Sequence, residues 1–101
     1  MLEFVDAQDM ARQYPDTFGV PTNEELAGIK SGDSVKVSHN NERFWVTVTR
    51  ISKKGVITGR VDNDLICVQP FKYKDRIVFE TRHVYSIWSG KPIKIKKEKK
   101  A

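Results

Sequence analysis

From Asp33 onward, apolar side chains recur at every second position. Val35 and Val37 alternate with Lys36 and Ser38; Phe44, Val46 and Val48 alternate with Arg43, Trp45, Thr47 and Thr49. A period of two marks a half-buried strand. His39-Asn40-Asn41-Glu42 between the two runs is turn-like, so they form a hairpin. Ser52-Lys53-Lys54-Gly55 is a second turn, and Val56–Val61 a third strand. Gly59 inside it signals a bulge or a close backbone approach. Asp62-Asn63-Asp64 turns again. Leu65–Val68 is a short apolar run that Pro70 ends. Arg76–Thr81 is a fourth strand with Ile77 and Phe79 on one face. Val84–Trp88 is a fifth, or a tight helical turn leading into one. Gly90 and Pro92 close the domain, and Ile93–Lys96 is a further extended candidate.

The first third of the chain reads differently. Leu2, Val5, Asp9 and Arg12 lie along one helical line with Phe4 and Met10 off it, a weak pattern that Tyr14-Pro15 breaks. Phe18-Gly19-Val20-Pro21 is an extended apolar linker. Thr22 followed by Glu25 has capping-box spacing. With Leu26 and Ile29 as a buried face and Gly32 as a stop, it predicts one short helix over about 23–30.

Short antiparallel strands joined by polar turns point to a small barrel. An oligonucleotide-binding barrel usually carries a helix between its third and fourth strands, and 62–75 with Pro70 is poor helix material. The expected fold is therefore mainly β: a small SH3-like five-stranded antiparallel barrel with an N-terminal extension containing one short helix. Residues 1–21 form the extension, 22–90 the barrel with its leading helix, and 91–101 a flexible basic tail.

Charge changes this picture by its location. The chain of 101 residues has a formal net charge of +5. Residues 91–101 hold six lysines against Glu98, so residues 1–90 balance 12 basic with 12 acidic side chains. Within that body, residues 1–33 sum to −5 and residues 34–90 to +5. The tail alone carries the excess. No stretch approaches the ~20 apolar residues of a membrane-spanning helix. One cysteine, Cys67, cannot form an internal disulfide. The opening Met-Leu-Glu-Phe-Val-Asp lacks a signal-peptide pattern. A cytoplasmic protein with no membrane partner is the resulting expectation.

Several pieces in order resemble a family of small bacterial and phage domains with no assigned activity. They are the Glu24-Glu25-Leu26 helix, Gly32-Asp33-x-Val35-Lys36-Val37, and Glu42-Arg43-Phe44-Trp45-Val46. Then follow Gly59-x-Val61-x-Asn63, Asp75-x-Ile77-x-Phe79 and His83-Val84-x-x-Ile87. The resemblance runs from Phe18 to Trp88. It implies an SH3-like fold and carries over no catalytic residue.

Chemistry at single residues is sparse. His39, His83 and Cys67 stand apart in the chain, too few for a metal site. They read as a hairpin-tip residue, a turn residue bonding backbone, and a small thiol buried in Leu65–Val68 and inert for that reason. Asp62 and Asp64 are a carboxylate pair in a turn, without the cleft that hydrolytic chemistry needs. No phosphate-binding glycine loop is present. The chain reads as a non-enzyme without catalytic residues, metal or cofactor.

Binding residues are better represented. Arg43, Trp45, Thr47 and Thr49 share the strand face opposite the valines, and Arg60 adds charge nearby. Tyr73, Tyr85, Trp45 and Trp88 are candidates for an aromatic groove. Trp45 is expected to pack under the N-terminal segment against Phe18, Val20 or Leu26. Trp88, beside Ile87, is expected in the core, and Tyr85 is open between core and groove. The leading expectation is a non-enzymatic, protein-interaction or regulatory module of bacterial or phage origin, with Arg43, Trp45, Arg60, Tyr73 and Tyr85 as binding residues. The alternative is a DNA- or RNA-binding accessory protein using the same face, with Lys94, Lys96, Lys97, Lys99 and Lys100 of the tail anchoring phosphates. Nothing in the sequence determines the oligomeric state.

Overall fold

The computed structural model describes residues 3–88. The tail lysines and the candidate extension at Ile93–Lys96 lie outside them. Two short helices lead the chain, where the sequence predicts one. Helix α1 spans Ala7–Gln13 and α2 spans Asn23–Ala27. The Asp6 carboxylate caps α1 by accepting from the Asp9 amide at 2.9 Å. Ala7, fully buried, gives it an anchor without any long apolar stripe. The capping box expected at α2 is present. The Glu25 amide donates to Thr22 Oγ1 at 3.1 Å, and the Thr22 amide donates to Glu25 Oε1 at 2.8 Å. That helix ends at Gly28, earlier than the periodicity suggests. Gly32, at φ +96°, serves the next turn instead, its amide donating to the Val48 carbonyl at 2.8 Å.

The five strands are β1 Ser34–His39, β2 Glu42–Ile51, β3 Val56–Val61, β4 Arg76–Glu80 and β5 Ser86–Trp88. A 3-10 turn, Thr81–His83, precedes β5. They form one antiparallel sheet in the order β4-β3-β2-β1-β5. No ladder joins β4 to β5 among the described residues, so the sheet is open where the strand pattern suggested a closed barrel. The hairpin expected at 39–42 is there, with Asn40 and Asn41 at positive φ, a conformation Asn adopts more readily than most residues.

Gly59 does what its position suggests. A Cβ there would stand 2.5 Å from Val46 Cγ1 and 2.7 Å from the Thr47 carbonyl oxygen. Next to it the β2–β3 register shifts between Val48 and Arg50. The extra residue, Thr49, donates its hydroxyl to the Thr58 carbonyl at 3.0 Å. Close approach and bulge together bend the longest strand.

The inner face of the sheet supplies Val35, Val37, Phe44, Val46, Val48, Ile57, Val61, Ile77 and Phe79 to the core. Leu26, Ile29 and Phe71 cover it from the connections. The N-terminal segment joins in: Phe4 packs against Phe71, Phe79, His39 and His83 at 5.1–6.3 Å between ring centroids. The Val5 amide donates to the Ser38 carbonyl at 3.0 Å. Asp6 meets Arg82 at 3.1 Å, tying the α1 cap to the 3-10 turn. No helix among the described residues is long and apolar enough to cross a membrane.

Two expected placements are corrected. Trp88 is not core but half exposed (50%). It pairs with Ser34, whose side chain faces outward, while Ile87 pairs with Val35 and faces in. Cys67 is exposed rather than buried. Two of the partners expected for Trp45 are engaged elsewhere. Leu26 is taken by the core, and Phe18 lies 6.2 Å from Tyr85 and 5.4 Å from the Arg43 guanidinium.

Candidate functional site

Two surfaces stand out. The first is the loop between β3 and β4. Ile66 is 93% exposed and Val68 88%, with Cys67 exposed between them. Apolar residues this exposed usually sit on loose chain. Here the backbone is held on both sides. The Glu42 carboxylate accepts from the Ile66 amide at 2.7 Å and from the Cys67 amide at 2.9 Å. Asn40 Nδ2 donates to the Val68 carbonyl at 2.8 Å. Gln69 Nε2 donates to the His39 carbonyl at 2.9 Å, while Gln69 Oε1 lies 2.7 Å from His39 Nδ1. With that oxygen as acceptor, the neutral His39 ring carries its proton on Nδ1.

The turn of the β1–β2 hairpin is thus a clamp for residues 66–69. The Ile66 amide, and then the Cys67 amide and Gln69, hold the Glu42 carboxyl below its ordinary pKa against an opposing desolvation effect. This arrangement escapes a local reading of the sequence. The carboxylate and the amides it binds are 24 and 25 residues apart. The only signal is a charged residue at the first position after a two-asparagine turn.

The second surface is the outer face of the sheet. Strand register sets Trp88, Ser34, Thr47, Arg60 and Arg76 side by side in one row across all five strands. The neighbouring row sets Ser86, Lys36 and Trp45 together. Lys36 Nζ lies 5.0 Å from the centroid of the Trp45 ring. Ser34, Trp45, Asp62 and Trp88 line one pocket. The Asp62 carboxylate accepts from the Thr47 hydroxyl at 3.2 Å.

The five binding residues read from the sequence are only partly assembled. Trp45 and Arg60 share the outer face. Arg43 shares it too, but its guanidinium lies 4.5 Å over the Tyr85 ring and closes the side near Phe18. Tyr85 itself is buried (6% exposed), so it supports Arg43 and offers no groove. Burial raises its phenol pKa, with Asp6 adding to this and Arg43 opposing it. Tyr73 is exposed in the loop before β4. It is next to Lys74, whose carbonyl accepts from Arg60 at 3.2 Å.

His83 is buried, and its Nδ1 accepts from the Glu80 amide at 2.9 Å, so it bonds backbone as expected. Burial first, and Arg82 second, lower its pKa. Among the described residues, no three His, Cys, Asp or Glu side chains gather as a metal site. Compared with protein-family models, with curated proteins and with solved structures, the chain matches none of them.

Proposed function

We propose that this chain is a non-enzymatic binding module that docks a protein partner through the Ile66-Cys67-Val68 loop. The observation that carries the reading is the combination of near-complete exposure with a backbone clamped at four points by Glu42 and Asn40 and through Gln69. Exposing two large aliphatic side chains costs solubility, and a clamp that holds them in place has a use if a partner's pocket takes them. Pre-ordering also removes part of the entropy cost of binding.

An SH3-like architecture is the frame we propose for this module. The strand order β4-β3-β2-β1-β5, the long bulged β2 and the 3-10 turn before β5 support it. It agrees with the resemblance to small bacterial and phage domains, whose membership we likewise propose.

The test is quantitative affinity capture from the host, run in parallel with the intact chain, an Ile66→Asp/Val68→Asp variant and Trp88→Ala. A partner retained by the intact chain and Trp88→Ala, and lost at least tenfold by the loop variant, is the expected result. Identical capture by all three removes the loop from the binding surface.

A further inference from the structure

The outer face of the sheet is a second candidate surface. The outer sheet face holds Lys36, Arg43, Arg50, Arg60 and Arg76, by strand alternation and register. The four ion pairs among the described residues use Arg12, Lys30 and Arg82, and none of these five. The acids on or beside the face include Asp62, Glu80 and Glu3, which shares a pocket with Arg76, and Glu80 is engaged by Arg82 at 3.0 Å. The face is therefore cationic even though residues 1–90 are neutral in sum.

It also holds two indoles, Trp88 half exposed and Trp45 partly buried. Trp45 is on β2 and Trp88 on β5, with β1 between them. Strands lie about 4.8 Å apart, and Trp45 stands two residues along from the row of Trp88, so the two Cα positions are separated by roughly 12 Å. Between them β1 presents Ser34, in the row of Trp88, and Lys36, whose Nζ lies over the Trp45 ring; Ser34 and Asp62 line the pocket with the two indoles. Beyond Trp88 the chain continues into residues 91–101, with their six lysines.

We propose that this face binds single-stranded nucleic acid, with one base stacking on the exposed Trp88 ring at the pocket it shares with Trp45 while Arg60 and Arg76 contact phosphates. Aromatic platforms beside a cationic track are what sequence-tolerant strand binding requires. The row from Trp88 to Arg76 spans four strand spacings, about 19 Å, enough for several nucleotides. Asp62 fits as an acceptor for a base N–H group. A duplex keeps its bases paired and cannot fill the pocket. Two indoles and a carboxylate would also suit a quaternary ammonium group. Lys36, already over the Trp45 ring, and Arg60 beside Thr47 oppose a second cation there.

The experiment is fluorescence anisotropy of the full chain with labelled 12-nucleotide single-stranded DNA and RNA and the matching duplex, at 50 and 200 mM salt, with tryptophan emission recorded alongside. The expected result is preference for a single strand, quenching of tryptophan, and about tenfold weaker binding for Trp88→Ala. Arg60→Gln/Arg76→Gln is expected to flatten the salt dependence. Ile66→Asp/Val68→Asp is expected to leave the affinity unchanged, which separates this activity from the loop. A further variant replaces all six tail lysines by Gln. Binding that disappears in it while Trp88→Ala binds normally would show tail electrostatics alone and overturn the proposal. So would saturable binding of a trimethyl-lysine peptide without oligonucleotide binding, equal affinity for duplex without quenching, or no binding at 50 mM salt. Trp45→Phe, which keeps a stacking ring, is expected to retain most of the affinity. Its circular dichroism, compared with that of Trp88→Ala, guards against misfolding as the cause of a loss.

Discussion

At the scale of single residues, two positions govern the fold's tolerance. Gly59 is required by space and not by φ, because β2 runs so close that a methyl group would meet a backbone oxygen and a buried valine. Gly59→Ala is expected to destabilise the domain by about 2 kcal/mol or more, measurable as a lower urea midpoint with an unchanged m-value.

His83 is required neutral, since its Nδ1 accepts a backbone hydrogen bond in a partly desolvated place. Its pKa is lower folded than its ordinary 6.5. Its contribution is therefore complete above pH 6.5 and is lost as pH falls through the lowered folded value. Unfolding free energy is expected to be flat between pH 7 and 8 and to fall below pH 6. In His83→Gln that part of the decline should disappear. Glycine at 59 was legible as a signal in the sequence. The backbone bond of His83 is legible from its place in a turn, but its burial beside Phe4 is not visible locally.

At the scale of elements, alternation was a dependable guide and polarity alone was not. The β1–β2 hairpin follows from period two, with its turn of Asn residues. Trp88 illustrates the failure: beside Ile87 it reads as core, yet adjacent strand residues face opposite sides. The Leu65–Val68 run reads as buried because it is apolar. Its amides instead satisfy a carboxylate on another hairpin, a long-range bond that no local pattern encodes. The first helix was faint because its stability comes from the Asp6 cap and a single buried alanine.

The clamp makes a prediction of its own. Glu42→Ala removes the acceptor of two amides. Hydrogen exchange of the Ile66 and Cys67 amides should accelerate at least tenfold in that variant while the β2–β3 ladder exchanges as before. Glu42 has a lowered pKa, so its hold is complete above about pH 4.5 and is lost as pH falls through the lowered value. Exchange in the loop, corrected for intrinsic rates, should rise in acid ahead of the sheet.

At the scale of the whole molecule, the unpaired cations and the two most exposed aliphatic side chains lie on different surfaces, although the cationic face also carries the exposed Val56, Val78 and Trp88. Cations collect on the outer sheet face, while the exposed aliphatic residues Ile66 and Val68 sit at the clamped loop. The sequence sum of +5 describes neither. It conceals an unpaired cationic face behind an acidic N-terminal third, part of which is tied up at the α1 cap and the Asp33 turn. The separation is what allows the two proposed activities to be removed one at a time.

The clamped loop carries the proposed docking role, and Cys67 lies within it as the chain's one cysteine. Attaching a short photo-cross-linker to that thiol and irradiating in host extract tests the docking surface directly. The expected result is one dominant protein adduct, strongly reduced when Ile66 and Val68 are changed to Asp. The same adducts formed by both versions, or none formed by the intact loop, would contradict the proposed docking role.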